Sequence, residues 1–190
     1  MTVGPDLAAV DTASRITLDD QGRVVGVALA EPDPQRAAER LCTLLGELLG
    51  TDLRPVGLEL RAVMAGHLAI VSIREQPPGG PPQFHAGTAL ASEPATAMGQ
   101  AACEALLRDD GGNVALAGAR RAVGSGLATG AHLRIGGADH QLGADIDPDV
   151  PAATLRLADA TITMVPAGAD RAPAVEAWLT CLRAAAGDPD

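Results

Sequence analysis

Gly26-Val-Ala-Leu-Ala30, followed by Cys42-Thr-Leu-Leu45, returns 61 positions later as Gly87-Thr-Ala-Leu-Ala91, followed by Cys103-Glu-Ala-Leu106. Aligned without a gap, Gly26 falls on Gly87, Ala28 on Ala89, Leu29 on Leu90, Ala30 on Ala91, Cys42 on Cys103 and Leu45 on Leu106. An internal repeat constrains architecture before any single motif does. Each copy reads as a strand ending in Gly-x-Ala-Leu-Ala, a polar turn and a helix carrying an apolar cysteine. The fold class expected is therefore α+β, with related strand–helix units and sheets covered by helices.

Outward from the repeat, hydrophobic period assigns the remaining elements. Arg15 to Asp19 alternates with Ile16 and Leu18 on one face, and Asp20-Gln-Gly22 supplies a turn into Arg23 to Leu29. Asp33 before Pro34 is a helix cap followed by proline in the first turn. Ala38, Leu41, Leu45, Leu48 and Leu49 then form one stripe, closed by Gly50. In Val56 to Met64, Leu58, Leu60, Ala62 and Met64 face one way and Glu59 and Arg61 the other. Ala65-Gly66 turns this strand into His67 to Arg74. The run Gln76-Pro-Pro-Gly-Gly-Pro-Pro-Gln83 is a loop, because proline donates no ladder hydrogen bond. Phe84 to Leu90 pairs back, and Ser92 is expected to cap a helix lined by Ala95, Met98, Ala102 and Leu106.

Residues 1–13 read as a lead-in, 14–109 as the repeated α+β domain and 110–190 as a smaller α+β unit, divided at Asp109-Asp-Gly-Gly112. In the last unit Asn113 caps a short helix through Val123, and Gly124 to Gly130 reads as a link. His132 to Ile135 and His140 to Asp145 form a hairpin about Gly136-Gly137. Period leaves 151–160 open between strand and helix. Thr161 to Val165 is a strand, and Asp170 and Pro173 open a helix with Val175, Trp178, Leu179 and Leu182 inward.

Composition excludes whole classes of function. The 190 residues carry a formal charge of −10 and 1% aromatic residues. Nucleic-acid binding, which relies on basic patches and stacking platforms, is not expected. All 14 basic residues are arginine. Without lysine there is no P-loop phosphate lysine, no Schiff base and no lysine general base. Three cysteines without a CxxC spacing suggest neither a disulfide framework nor a zinc ribbon. No basic n-region precedes an apolar run near Met1, and no apolar stretch is long enough to span a bilayer. A cytoplasmic protein with no membrane partner is the expectation.

The chemistry-bearing residues are few. Cys42, Cys103 and Cys181 sit mid-helix beside apolar neighbours, which suits packing rather than nucleophilic attack. His67 and His85 lie on neighbouring strands and could face one another, but a metal site wants three or four ligands. His132 and His140 flank a turn. Asp145-Ile-Asp-Pro-Asp149 starts like a calcium loop, yet the glycine and glutamate positions hold Val150 and Arg156. Gly124-Ser-Gly126 matches neither a nucleophile elbow nor a dinucleotide loop and reads as a linker. Glu59 and Glu75 are expected on a solvated face. No cofactor is implied.

The order of elements over residues 14–108 and the segments Leu58-Glu-Leu-Arg-Ala-Val-Met-Ala-Gly66, His67 to Arg74 and Phe84 to Ala91 resemble the regulatory domain of 2-isopropylmalate synthase. The resemblance implies a dimerisation domain of two βββα halves that binds an amino-acid end product at the dimer interface. The family's second half carries Gly-x-Gly before an acidic–aliphatic helix start, where this chain has Ala86-Gly87-Thr88 and Ser92-Glu93-Pro94. The resemblance includes no counterpart of the synthase's catalytic barrel, so it implies regulation and not the reaction.

The leading expectation is a non-catalytic regulatory or assembly module that forms a homo-oligomer. It would bind an amino-acid-like ligand or a protein partner. The ligand is placed at the strand–helix junctions near Gly26, Gly87 and Ser92, where helix N-termini offer free N–H groups. The alternative is an enzyme using His67, His85 or Cys103 in a pocket that the sequence does not reveal. A third reading is a purely structural assembly protein, marked by a broad apolar patch without a pocket.

Overall fold

The computed structural model describes residues 14–187. The expected lead-in of residues 1–13 falls outside them. An α+β architecture is observed, with three antiparallel sheets and four α-helices among the described residues.

The chain opens with a hairpin, β1 (Arg15–Leu18) and β2 (Val24–Ala28), turned at Gly22. Helix α1 (Pro34–Leu49) begins as its sequence dictates: the Asp33 carboxylate accepts the Arg36 N–H at 3.0 Å. It ends on Gly50 in the left-handed conformation, φ 66°. Three strands follow as a meander, β3 (Asp52–Val63), β4 (Gly66–Gln76) and β5 (Gln83–Ala91), with β4 in the middle. A bulge between Pro55 and Gly57 lets proline sit in β3, an edge strand, without breaking the ladder. Met64 departs from the expected strand face: β3 stops at Val63, and Met64 projects fully exposed from the β3–β4 turn.

Strand pairing fixes the two faces of this sheet. Ala69, Val71, Ile73 and Glu75 of β4 share one face with Leu58 and Leu60 of β3 and with His85, Gly87 and Ala89 of β5. That face is covered by helices, α1 against β3 and α2 (Pro94–Leu107) against β4 and β5. Contact with α2 is close because Gly87 has no side chain; a Cβ there would stand 2.1 Å from the Ala101 carbonyl oxygen. Glu93, not Ser92, occupies the cap of α2, and its side chain makes no capping bond. Ser92 instead offers its carbonyl to His67 Nδ1 at 2.9 Å.

A 3₁₀ turn (Arg108–Asp110) leads into α3 (Val114–Gly124), capped by Asn113, whose Oδ1 accepts the Leu116 N–H at 2.9 Å. The four-stranded sheet has the order β7 (Ala138–Gly143), β6 (Ala128–Ile135), β9 (Ala160–Pro166), β8 (Ala153–Arg156). The ambiguous stretch 151–160 thus supplies a short edge strand. Helix α4 (Ala172–Ala185) closes the chain with Val175, Trp178, Leu179 and Leu182 buried.

Helices α3 and α4 pack between α1 and the four-stranded sheet. The buried residues form one continuous core of Leu, Ile, Val, Ala and Met. It crosses the Asp109–Gly112 region at several points. Val114 N–H donates to the Gly22 carbonyl at 2.9 Å, the Asn113 amide to Gln21, and the Trp178 indole to the Leu48 carbonyl at 2.7 Å. No helix among the described residues is long and apolar enough to cross a membrane.

Candidate functional site

Glu75 is the residue around which a site is built. It lies at the end of β4 on the helix-covered face and is only 3% exposed. This corrects the expectation of a solvated carboxylate. A buried carboxylate needs compensating partners. Arg121 of α3 supplies two, with Nε at 2.7 Å from Oε1 and Nη2 at 3.2 Å from Oε2. This is the paired geometry that guanidinium and carboxylate favour. His85 of β5 supplies the third, its Nε2 standing 2.8 Å from Oε2. Burial pushes the Glu75 carboxyl up, but the hydrogen bonds and charges of Arg121 and His85 outweigh it and hold it below the usual carboxylate value.

Above this triad is a cleft of about 490 Å³. Its floor holds Glu75, His85 and Arg121. One wall is the Pro77–Pro81 loop, tied down by the Gln76 amide donating to the Gly80 carbonyl at 2.8 Å. Opposite stand Leu106, Arg108, Asp109, Asp110 and Arg120 from the end of α2 through α3. Asp110 is buried and accepts from Arg120 at 2.8–2.9 Å. Arg108 reaches Glu104 at 2.8 Å while remaining largely exposed. The volume is that of a small-molecule site. Its charged lining is balanced, with three guanidiniums against three carboxylates.

Chemically, the Glu75 bond orients the His85 ring and leaves Nδ1 as its other polar position. Gly124 and Ser125 also line the cleft. They are the last residue of α3 and its C-cap, not the linker expected.

The residues expected to bind ligand are dispersed. Gly87 is sealed beneath α2. Gly26 lines a crevice of about 170 Å³ with Val27, Thr96, Gly99 and Cys103. Ser92 is exposed at the opposite end of β5 from His85. His67 pairs in register with Ala91 whereas His85 pairs with Ile73, so the two histidines do not face one another. All three cysteines are free, and burial raises every thiol, Cys42 to about 12 and Cys103 to about 11. Such thiols are poor nucleophiles. Among the described residues no group of three or more His, Cys, Asp or Glu side chains is placed to hold a metal ion. His132 pairs with Asp139 at 3.2 Å on the outer face of the second sheet.

The sequence held one unused signal for Glu75. It shares parity with Ala69, Val71 and Ile73, a period that places it inside. Arg121, 46 residues further on, carried no local mark.

No protein-family profile matches the chain, and no curated protein or solved structure is significantly similar to it.

Proposed function

We propose that the protein is a non-catalytic, self-associating module that binds a small zwitterion of the amino-acid class in the Glu75–His85–Arg121 cleft. The observation that carries this reading is the balanced lining of the cleft: Arg108, Arg120 and Arg121 against Glu75, Asp109 and Asp110. An anion alone would meet the three carboxylates, and a cation alone the three guanidiniums. Glu75–Arg121 and Asp110–Arg120 are already paired within the protein, and a ligand bearing both charges suits the outward edges that remain. Its carboxylate would take the outward N–H groups of Arg108 and Arg120, and its ammonium the exposed Asp109. An aliphatic side chain would lie against Leu106, Ala105 and the proline loop. Arg121 and Glu75, already spent on one another, serve as the rigid floor. The reading agrees with the regulatory-domain resemblance in ligand class, and moves the site from the strand–helix junctions to the far end of β4 and β5.

Isothermal titration with a panel of aliphatic amino acids and the matching 2-oxo acids tests it. Saturable binding of an amino acid, absent for the oxo acid and lost in Arg120→Ala, is the expected outcome. Equal binding of both acids, or binding untouched by Arg120→Ala, would sink the proposal.

The second reading is an enzyme, favoured by the Glu75–His85 pair, since a buried carboxylate holding an imidazole is how a general base is oriented. Of the candidates His67, His85 and Cys103, His85 suits the role best. His67 has its Nδ1 engaged by Ser92, and the Cys103 thiol is raised by burial. Turnover of any ligand identified above, lost in His85→Gln with binding retained, would favour catalysis.

A further inference from the structure

The molecule carries two antiparallel sheets with one face turned away from the helices, and the two outer faces differ. Beyond the four-stranded sheet the outward residues are polar: His132, Arg134, Thr154, Arg156, Thr161 and Thr163. Water is the normal neighbour of such a surface. The outward residues of β3 are charged as well, Asp52, Arg54, Glu59 and Arg61, but those of β4 and β5 are mostly not of that kind. Pairing puts Leu68 beside Leu90, Ile70 beside Thr88, Ser72 beside Ala86 and Arg74 beside Phe84. Phe84, the chain's single phenylalanine, is 69% exposed and Leu90 is 51% exposed. Of seven large apolar residues that stand exposed among the described residues, five belong to this sheet or its β3–β4 turn: Val56, Val63, Met64, Phe84 and Leu90. Large apolar side chains left exposed along one sheet face, with Leu68 and Ile70 half-buried between them, suit an interaction surface.

We infer that this face is covered by the same face of a second copy of the chain, two three-stranded sheets packing as a sandwich. The inference rests on the self-association proposed above and takes nothing from the cleft, which opens on the other side of the same sheet.

Area and charge both select a second copy. Strand β4 has 11 residues. At about 3.3 Å per residue and about 4.8 Å between strands, three such strands present a face of about 500 Å². Two of them in contact remove about 1,000 Å² from water before side-chain relief is counted, which reaches the size of a specific interface. The chain bears a net charge of −10, so two copies repel through most of their surface. The outer face of β3–β5 is the exception. Its carboxylates, Asp52 and Glu59, are each paired with a neighbouring guanidinium, Arg54 and Arg61, and Arg74 adds a further positive charge. The face is thus close to neutral, three guanidiniums against two carboxylates, and two acidic chains meet there with less repulsion than through the rest of their surface. The middle row, Gly57, Ser72 and Ala86, is small enough to let the sheets approach closely.

Sedimentation velocity of the full chain at micromolar concentration, beside the double variant Phe84→Glu/Leu90→Glu, tests this inference. A dimer for the parent and a monomer for the variant is expected, with the circular dichroism spectrum unchanged because neither side chain enters the core, and with a melting temperature that depends on protein concentration in the parent alone. A monomeric parent would overturn both the interface and the self-association reading. A dimer that survives in the variant would overturn the interface alone and place self-association elsewhere. Should the variant fail to fold, Ile70→Arg and Ser72→Arg at the centre of the face provide the same comparison.

Discussion

Glu75 concentrates most of what is specific at the scale of single residues. Its carboxylate is buried, holds the Arg121 guanidinium and the His85 ring, and ties β4 to α3 and β5. Removing one member of a buried pair leaves the other charge uncompensated, so Glu75→Gln is expected to lower stability by about 3 kcal/mol, read by urea denaturation. The pH dependence has a definite sign. The folded carboxyl titrates below its ordinary value of 4.5, so its contribution is fully present above that value and is lost as pH falls through the lower folded value. The melting temperature of the parent should thus fall more steeply below about pH 4.5 than that of Glu75→Gln. A parallel decline in the two proteins would mean that the pair contributes no stability.

At the scale of elements, local chemistry was legible wherever the determinants are near in sequence. Asp33 and Asn113 cap α1 and α3 through side-chain oxygens as their positions indicate, and Gly50 and Gly136-Gly137 take the positive φ that their turns require. Ser92 was misleading because the chain turns one residue later, leaving Glu93 at the cap and the Ser92 carbonyl free for His67. The two copies of the repeat pack differently. Gly87 lies in the middle of β5, not at the strand–helix junction, and its lack of a side chain serves contact with α2, not ligand access. Gly87→Ala would put a methyl group against the backbone of α2 at Ala101 and Ala105, which cannot yield without moving the helix. A loss of about 2 kcal/mol is expected on chemical denaturation. The matching Gly26→Ala meets no atom closer than 3.7 Å and should be nearly neutral.

At the scale of the whole molecule, what the sequence hid is what depends on long-range pairing. Glu75, His85 and Arg121 come from three elements, and the cleft exists only once α3 has docked across the end of β4. The outer sheet face was half visible, since Phe84 and Leu90 alternate with small residues along β5. Only the absence of a covering element reveals them as surface. The two proposed surfaces lie on opposite faces of one three-stranded sheet, the proposed ligand within and the proposed second copy without. A ligand that braced β4 and β5 from inside would thereby reach the outer face through shared backbone, with no hinge required.

The indole of Trp178, anchored on the Leu48 carbonyl, has a consequence for optics. The chain holds no tyrosine and no other tryptophan, so near-ultraviolet emission comes from a single chromophore seated where α4 meets α1 and where Gly118 of α3 makes room for its ring. The chain folded as described here should emit at short wavelength. Were residues 110–190 to detach as a unit while their own helices persisted, the emission would move to the red before ellipticity was lost. Coincident curves from the two signals would instead mark one cooperative body, so a single fluorophore reads out whether the two parts of the chain melt together.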